Sequence, residues 1–94
     1  MLNRLADWDR FSLQVCKHIG QYTIPQYQSD DAEQDQVNIW SAQDCVTAMR
    51  KYVSRFGKNS RGQKEALRDM LKIAHYAQFA YDKLKAEYGE EDVY

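Results

Sequence analysis

The chain has 94 residues, of which 44% are apolar and 29% charged, and it carries a net charge of −1. That length suits one small domain with a single core, and that balance belongs to a soluble globule rather than a disordered chain. No stretch nears the roughly 20 apolar residues of a membrane span, and Asp7 and Asp9 follow Met1-Leu2-Asn3-Arg4-Leu5 too early for a signal peptide, so no membrane partner is expected and the expected location is cytoplasmic. Cys16 and Cys45 form no Cys-x-x-Cys pair, which leaves them as free, buried thiols and suggests neither a disulfide framework nor a zinc cluster.

The expected architecture is all-α: one helical domain over residues 1–94, with helices at about 6–20, 41–57 and 60–88. In the first segment Trp8, Phe11, Val15, Ile19 and Tyr22 recur at steps of three and four, placing them on one helical face that ends near Gly20. Residues 21–40 hold the only proline, Pro25, and the acidic run Asp30, Asp31, Glu33 and Asp35, which reads as an extended segment and a solvated loop. Helix two has a capping box, Ser41 with Asp44, and Trp40 is positioned as a hydrophobic staple against Cys45. Its stripe Cys45, Val46, Met49, Tyr52, Val53, Phe56 runs to Gly57.

Helix three opens with Ser60 and Gln63 at capping-box spacing and continues to Gly89, with a frayed tail over 89–94. Leu67, Met70, Ala74, Ala77, Tyr81, Leu84 and Tyr88 alternate steps of three and four, while Ile73, Tyr76 and Ala80 widen the apolar face. A helix of some 27 residues is about 40 Å long, against roughly 32 Å for a compact globule of this chain length. The excess stripe predicts a homodimer through Met70, Ala74, Ala77, Tyr81 and Leu84, giving a dimeric helical bundle.

Charge is unevenly distributed. Residues 50–72 carry eight basic side chains against Glu65 and Asp69, a segment charge of +6 in a chain that totals −1. The turn Gly57-Lys58-Asn59-Ser60-Arg61-Gly62 adds backbone N–H groups at a helix start, where phosphates bind. Lys51, Arg55, Lys58, Ser60, Arg61 and Lys72 are therefore the candidate phosphate-binding residues, with Tyr52 or Tyr76 available to stack on a base. The plainer reading pairs these charges locally, Arg61 with Glu65 and Asp69 with Lys72.

The run Met49-Arg50-Lys51-Tyr52-Val53-Ser54-Arg55-Phe56-Gly57-Lys58, followed by Asp69-Met70-Leu71-Lys72-Ile73-Ala74-His75-Tyr76, resembles the two-helix signature of the small phage-associated family DUF3310. In that family a Lys-Tyr, an Arg three residues on and a basic turn precede an Asp-Leu-x-Lys-Ala-x-x-Tyr helix. Pro25-Gln26-Tyr27 corresponds to its Pro-x-His-Tyr element, with Gln26 in place of His. The resemblance covers residues 25–80 and implies a phage or prophage origin and nucleotide handling, since a phage nucleotide kinase is similar to the family. It implies functional roles for Lys51, Arg55, Lys58, Asp69 and Lys72.

Gly-x-x-x-x-Gly-Lys-Ser/Thr, Gly-x-Ser-x-Gly and His-Glu-x-x-His motifs are all absent from the sequence, so catalysis is not assigned. An all-α pyrophosphatase needs several converging carboxylates for magnesium; here Glu65, Asp69 and Asp82 share helix three with Lys72 on the same face, so no metal ligands are assigned and no cofactor is named. His18 and His75 flank apolar stripes, and His75, near Asp82 and Lys72, is the better candidate base. Three functions remain: a nucleotide- or phosphate-binding protein, a nucleic-acid-binding hairpin led by Arg61, Lys64 and Arg68, and an interaction module. The pI near 6.1 weighs against nucleic acid as the main partner.

Overall fold

The structure, a computed structural model, describes residues 3–23, 39–58, 62–89 and 94. It is all-α, with 85% helix, three helices and no strand among these residues, and the C-terminal helix is the longest. Two compact units divide the chain, Met1–Asn38 and Ile39–Tyr94.

The first unit is built on α1, Arg4–His18. Asn3 caps it, its side-chain oxygen accepting from the Ala6 N–H at 3.1 Å and so satisfying one of the unpaired donors of the first turn. Asp7 in the first turn, and Lys17 and His18 in the last, complement the helix dipole. The chain does not stop at Gly20 as the sequence suggests. It continues as a π-helical turn, Ile19–Thr23, in which Gly20 keeps a negative φ and so does not act as a left-handed stop. Trp8 and Phe11 meet at 5.5 Å between ring centroids, although Trp8 stays half exposed.

The second unit is an antiparallel pair, α2 (Ala42–Ser54) and α3 (Gln63–Tyr88). Ser41 and Asp44 form the expected reciprocal box: the Ser41 hydroxyl accepts from the Asp44 N–H at 3.1 Å, and the Asp44 carboxylate accepts from the Ser41 N–H at 2.9 Å. Helix α2 ends at Ser54, short of the expected stop at Gly57. Gly57 has φ 75°, the left-handed geometry that turns the chain, and the Lys58 N–H donates to the Arg55 carbonyl at 2.9 Å. Helix α3 starts at Gln63 with Gly62 at the N-cap, φ 100°, and has no side-chain capping bond. The expected Ser60 cap lies outside the described residues.

Two faces of α3 have different fates. Asp69 and Ala80 are buried, and Ile73 and Tyr76, on the same face, are half-buried. Contacts of Asp69 with Arg55 and of Tyr76 with Tyr52 show that this face meets α2. Most of the heptad stripe is a different surface: Leu67 is 68% exposed, Tyr81 49% and Tyr88 77%, and Ala77 is exposed too, while Ala74 and Leu84 are half-buried. Arg55 and Tyr52 supply a cation for Asp69 and a ring for Tyr76, and Ile73 and Ala80 share that side of α3. Leu67, Met70, Ala77, Tyr81 and Tyr88 thus remain exposed.

Cys45 is completely buried on α2, as expected, whereas Cys16 on α1 is exposed, against the expectation of two buried thiols. Burial pushes the Cys45 thiol above its ordinary value of 9.0; Lys83 acts in the opposite direction and Asp44 in the same one. A thiol reagent at neutral pH should therefore modify Cys16 quickly. Cys45 should react about a hundredfold more slowly or less, at a rate set by opening of the helix pair. Equal rates at the two thiols would contradict the burial. Because the native state holds the Cys45 proton more tightly than the unfolded chain does, this contribution to stability is intact below pH 9 and is lost as pH rises through the native value.

Candidate functional site

Three aromatic rings bind the two helices together. Tyr76 of α3 stacks on Tyr52 of α2 at 5.9 Å and on Trp40, just before α2, at 6.1 Å. Phe79 meets Tyr76 edge-on at 5.8 Å and His75 at 4.3 Å. Trp40 therefore packs its ring on the opposite helix rather than solely stapling its own, because Tyr76 offers a flat surface that the thiol of Cys45 cannot match.

Cations gather around the Tyr52 end of this stack. Lys51 Nζ lies 5.7 Å from the Tyr52 ring centroid, the Arg55 guanidinium carbon 5.2 Å, and Lys72 Nζ 5.2 Å. Each distance lies within cation–π range, and such a contact contributes about 0.5–1 kcal/mol where water still reaches it. Two of the cations come from α2 and its C-terminal turn and the third from α3, so only the folded pair assembles them.

Asp69 lies beside two of them, Arg55 and Lys72. Its side chain is 4% exposed, and one carboxylate oxygen, Oδ1, lies 3.6 Å from Arg55 Nη1 and 4.0 Å from Lys72 Nζ. Both separations exceed hydrogen-bond range, and that oxygen has no hydrogen bond among the described residues. Charge, not hydrogen bonding, holds the two cations near it. The arrangement is a buried anion beside two partly solvated cations, with a third, Lys51, on the shared Tyr52 ring, leaving an excess of positive charge. Arg55 and Lys72 keep 32% and 26% of their side chains exposed, enough for a ligand anion to reach them.

Lys51, Arg55 and Lys72 are thus brought together. Lys58 is exposed in the following turn and is linked to Arg55 through its backbone. Ser60 and Arg61 lie outside the described residues, as does Asn59, so half of the turn in which the backbone phosphate cradle is expected lies outside them. Of the local pairings that the sequence suggests, Asp69 with Lys72 is present at 4.0 Å, whereas Arg61 with Glu65 involves a residue outside the described ones; Glu65 also engages Arg68 at 2.7 Å. The separation between Asp69 and Lys72, three positions, is readable from the sequence. The cross-helix approach of Arg55 is not, because no local spacing encodes it. Among the described residues no three His, Cys, Asp or Glu side chains gather as a metal-binding group, and no helix is long and apolar enough to cross a membrane.

No protein-family model, curated protein or solved structure matches this chain.

Proposed function

We propose that the protein binds a phosphate-bearing ligand, a nucleotide being the first class to consider, over Tyr52. The observation that carries this reading is the convergence of Lys51, Arg55 and Lys72, from two helices, on one aromatic ring. A phosphate would complete the cluster's charge, and a base has aromatic surface beside it. The resemblance of residues 25–80 to a phage-associated family that includes a likeness to a nucleotide kinase supports the same class of ligand. Lys58, Ser60 and Arg61 extend the basic stretch of sequence along the turn.

The test is a thermal-shift series with inorganic phosphate, nucleoside mono-, di- and triphosphates, with and without magnesium. Stabilisation should grow with phosphate count, since a ligand at a hundred times its Kd adds about 2.7 kcal/mol. Lys51→Glu should reduce affinity about tenfold or more while lowering the unliganded melting temperature by only a few degrees, about the loss of one exposed cation–π contact. An NMR titration with ATP that leaves Lys51, Tyr52, Arg55 and Lys72 unshifted at millimolar ligand would sink the reading. Binding to a polynucleotide instead should fall steeply with salt, and would favour the nucleic-acid hairpin.

A second reading, an interaction module that pairs with a second copy, is favoured by one separate observation: the exposed stripe of α3. On this reading Met70, Ala74, Ala77, Tyr81 and Leu84 form a homodimer contact. Ala77→Glu, which places a charge in that contact, should then convert a dimer to a monomer in sedimentation equilibrium.

A further inference from the structure

The cation cluster and the carboxylate beside it both hold unused hydrogen-bonding capacity. Arg55 Nη1 and Lys72 Nζ stand 3.6 Å and 4.0 Å from Asp69 Oδ1, too far for their donors to be engaged by it. Oδ1 is closed off from water and has no hydrogen bond among the described residues. A carboxylate oxygen in that state has lost its hydration and gained only charge at a distance, a costly condition for an ionised group. The two cations nearest to it are the same two that lie 5.2 Å from the Tyr52 ring, so the unfilled acceptor faces the cluster itself.

Donors that lack an acceptor, set beside an acceptor that lacks a donor, define the group that complements them. It must offer oxygen atoms to Lys51, Arg55 and Lys72 and a hydrogen to Asp69. A phosphate that keeps one proton does both. Its bare oxygens accept from the cations, and its P–OH donates to the carboxylate in a short, charge-assisted bond. A sulfate dianion has the same tetrahedral shape and no proton, so one of its oxygens would meet Oδ1 lone pair to lone pair. The phosphodiester of a nucleic-acid backbone has no P–OH either.

The geometry leaves a way in. Arg55 and Lys72 are partly solvated and are held near Asp69 by charge alone, so a phosphate that draws them outward breaks no hydrogen bond of theirs to Oδ1. Without Asp69 the cluster would attract any anion. With it, every anion that cannot donate a hydrogen is penalised, which is how a repulsive element gives selectivity.

We infer that Asp69 is a ligand-binding residue that accepts the P–OH of an inorganic or terminal phosphate, and so selects phosphate against sulfate and against phosphodiesters. This rests on the phosphate reading above and adds the chemical state of the group that is bound.

The full chain is titrated with inorganic phosphate and, separately, with sulfate at about pH 8, where each ion carries about two negative charges. Ionic strength is held constant with chloride, and the NMR shifts of Lys51, Tyr52, Arg55 and Lys72 report binding. Phosphate should bind at least about tenfold more tightly than sulfate, since sulfate leaves the buried carboxylate unsatisfied opposite a second anion. Asp69→Asn should bring the ratio close to one, chiefly by strengthening sulfate, because the amide can donate to it. The wild-type ratio decides the matter even where this variant does not fold. Equal affinities in the wild-type chain overturn the inference and leave the phosphate site standing, and so does a preference that a folded Asp69→Asn retains. Absence of shifts with either ion at tens of millimolar overturns it as well; if ATP also produces none, the phosphate reading falls with it.

Discussion

Tyr76→Ala should destabilise the second unit by about 3 kcal/mol, near the lower end of the range for deleting a large aromatic because Tyr76 is half-buried. Its ring meets Trp40, Tyr52 and Phe79 together. Each aromatic pair adds about 0.5–1.5 kcal/mol beyond area burial, so three are lost with one side chain. In a chain of this length such a loss should lower the melting temperature by roughly 12–24 °C. Trp40 should report it directly, through a red-shifted emission as the indole loses its stacking partner. Tyr94→Ala is the control, since Tyr94 is fully exposed and lies off the α3 stripe. A Tyr76→Ala variant no less stable than this control would show that the stack does not hold the helices together.

The second large effect concerns the carboxylate beside the cation cluster. Arg55→Met with Lys72→Met should cost about 3–5 kcal/mol, because it leaves Asp69, 4% exposed, as an uncompensated buried charge. The size of that loss measures the orphaned charge more than the worth of the pairs. Adding Asp69→Leu to the same variant should therefore recover most of the lost stability, although it removes the last polar member of the group. Chemical denaturation of the three proteins gives the cycle directly. If the third substitution destabilises the protein further, Asp69 has support other than its two cations. The same cycle bears on binding: the double methionine variant should lose the phosphate ligand, and adding Asp69→Leu should restore folding without restoring affinity.

The two results separate structure from ligand capture. Tyr76 works through packing, and its loss should reduce binding only as far as it unfolds the helix pair. Arg55 and Lys72 carry both tasks, compensating Asp69 and presenting charge to a ligand. Lys51 is exposed and joins the cluster through the Tyr52 ring, so Lys51→Glu probes the ligand role with a stability cost of only about 0.5–1 kcal/mol beside it.

Local chemistry sets much of this fold in advance. Ser41 and Asp44 specify the start of α2 because a hydroxyl and a carboxylate three residues apart satisfy each other's backbone donors wherever they occur. Gly57 and Gly89 mark turns because their positive φ values, 75° and 103°, are strained for any residue with a Cβ. The basic segment and the long C-terminal helix are likewise plain in the order of residues. What only the tertiary structure decided is which side of α3 becomes core. The periodicity put the stripe Leu67, Met70, Ala74, Ala77, Tyr81, Leu84 and Tyr88 first and Ile73, Tyr76 and Ala80 only at its margin, whereas the structure buries Ala80 and Asp69 and half-buries Ile73 and Tyr76. Both faces repeat at helical spacing, so periodicity cannot decide between them; the choice depends on what the neighbouring helix presents. Tertiary packing likewise brought Trp40 to Tyr76, and Arg55 and Lys72 to a common carboxylate. Those partners lie 14 or more residues apart except for Lys72 and Asp69, and their meeting is set by how α2 returns along α3, a geometry that no local spacing specifies.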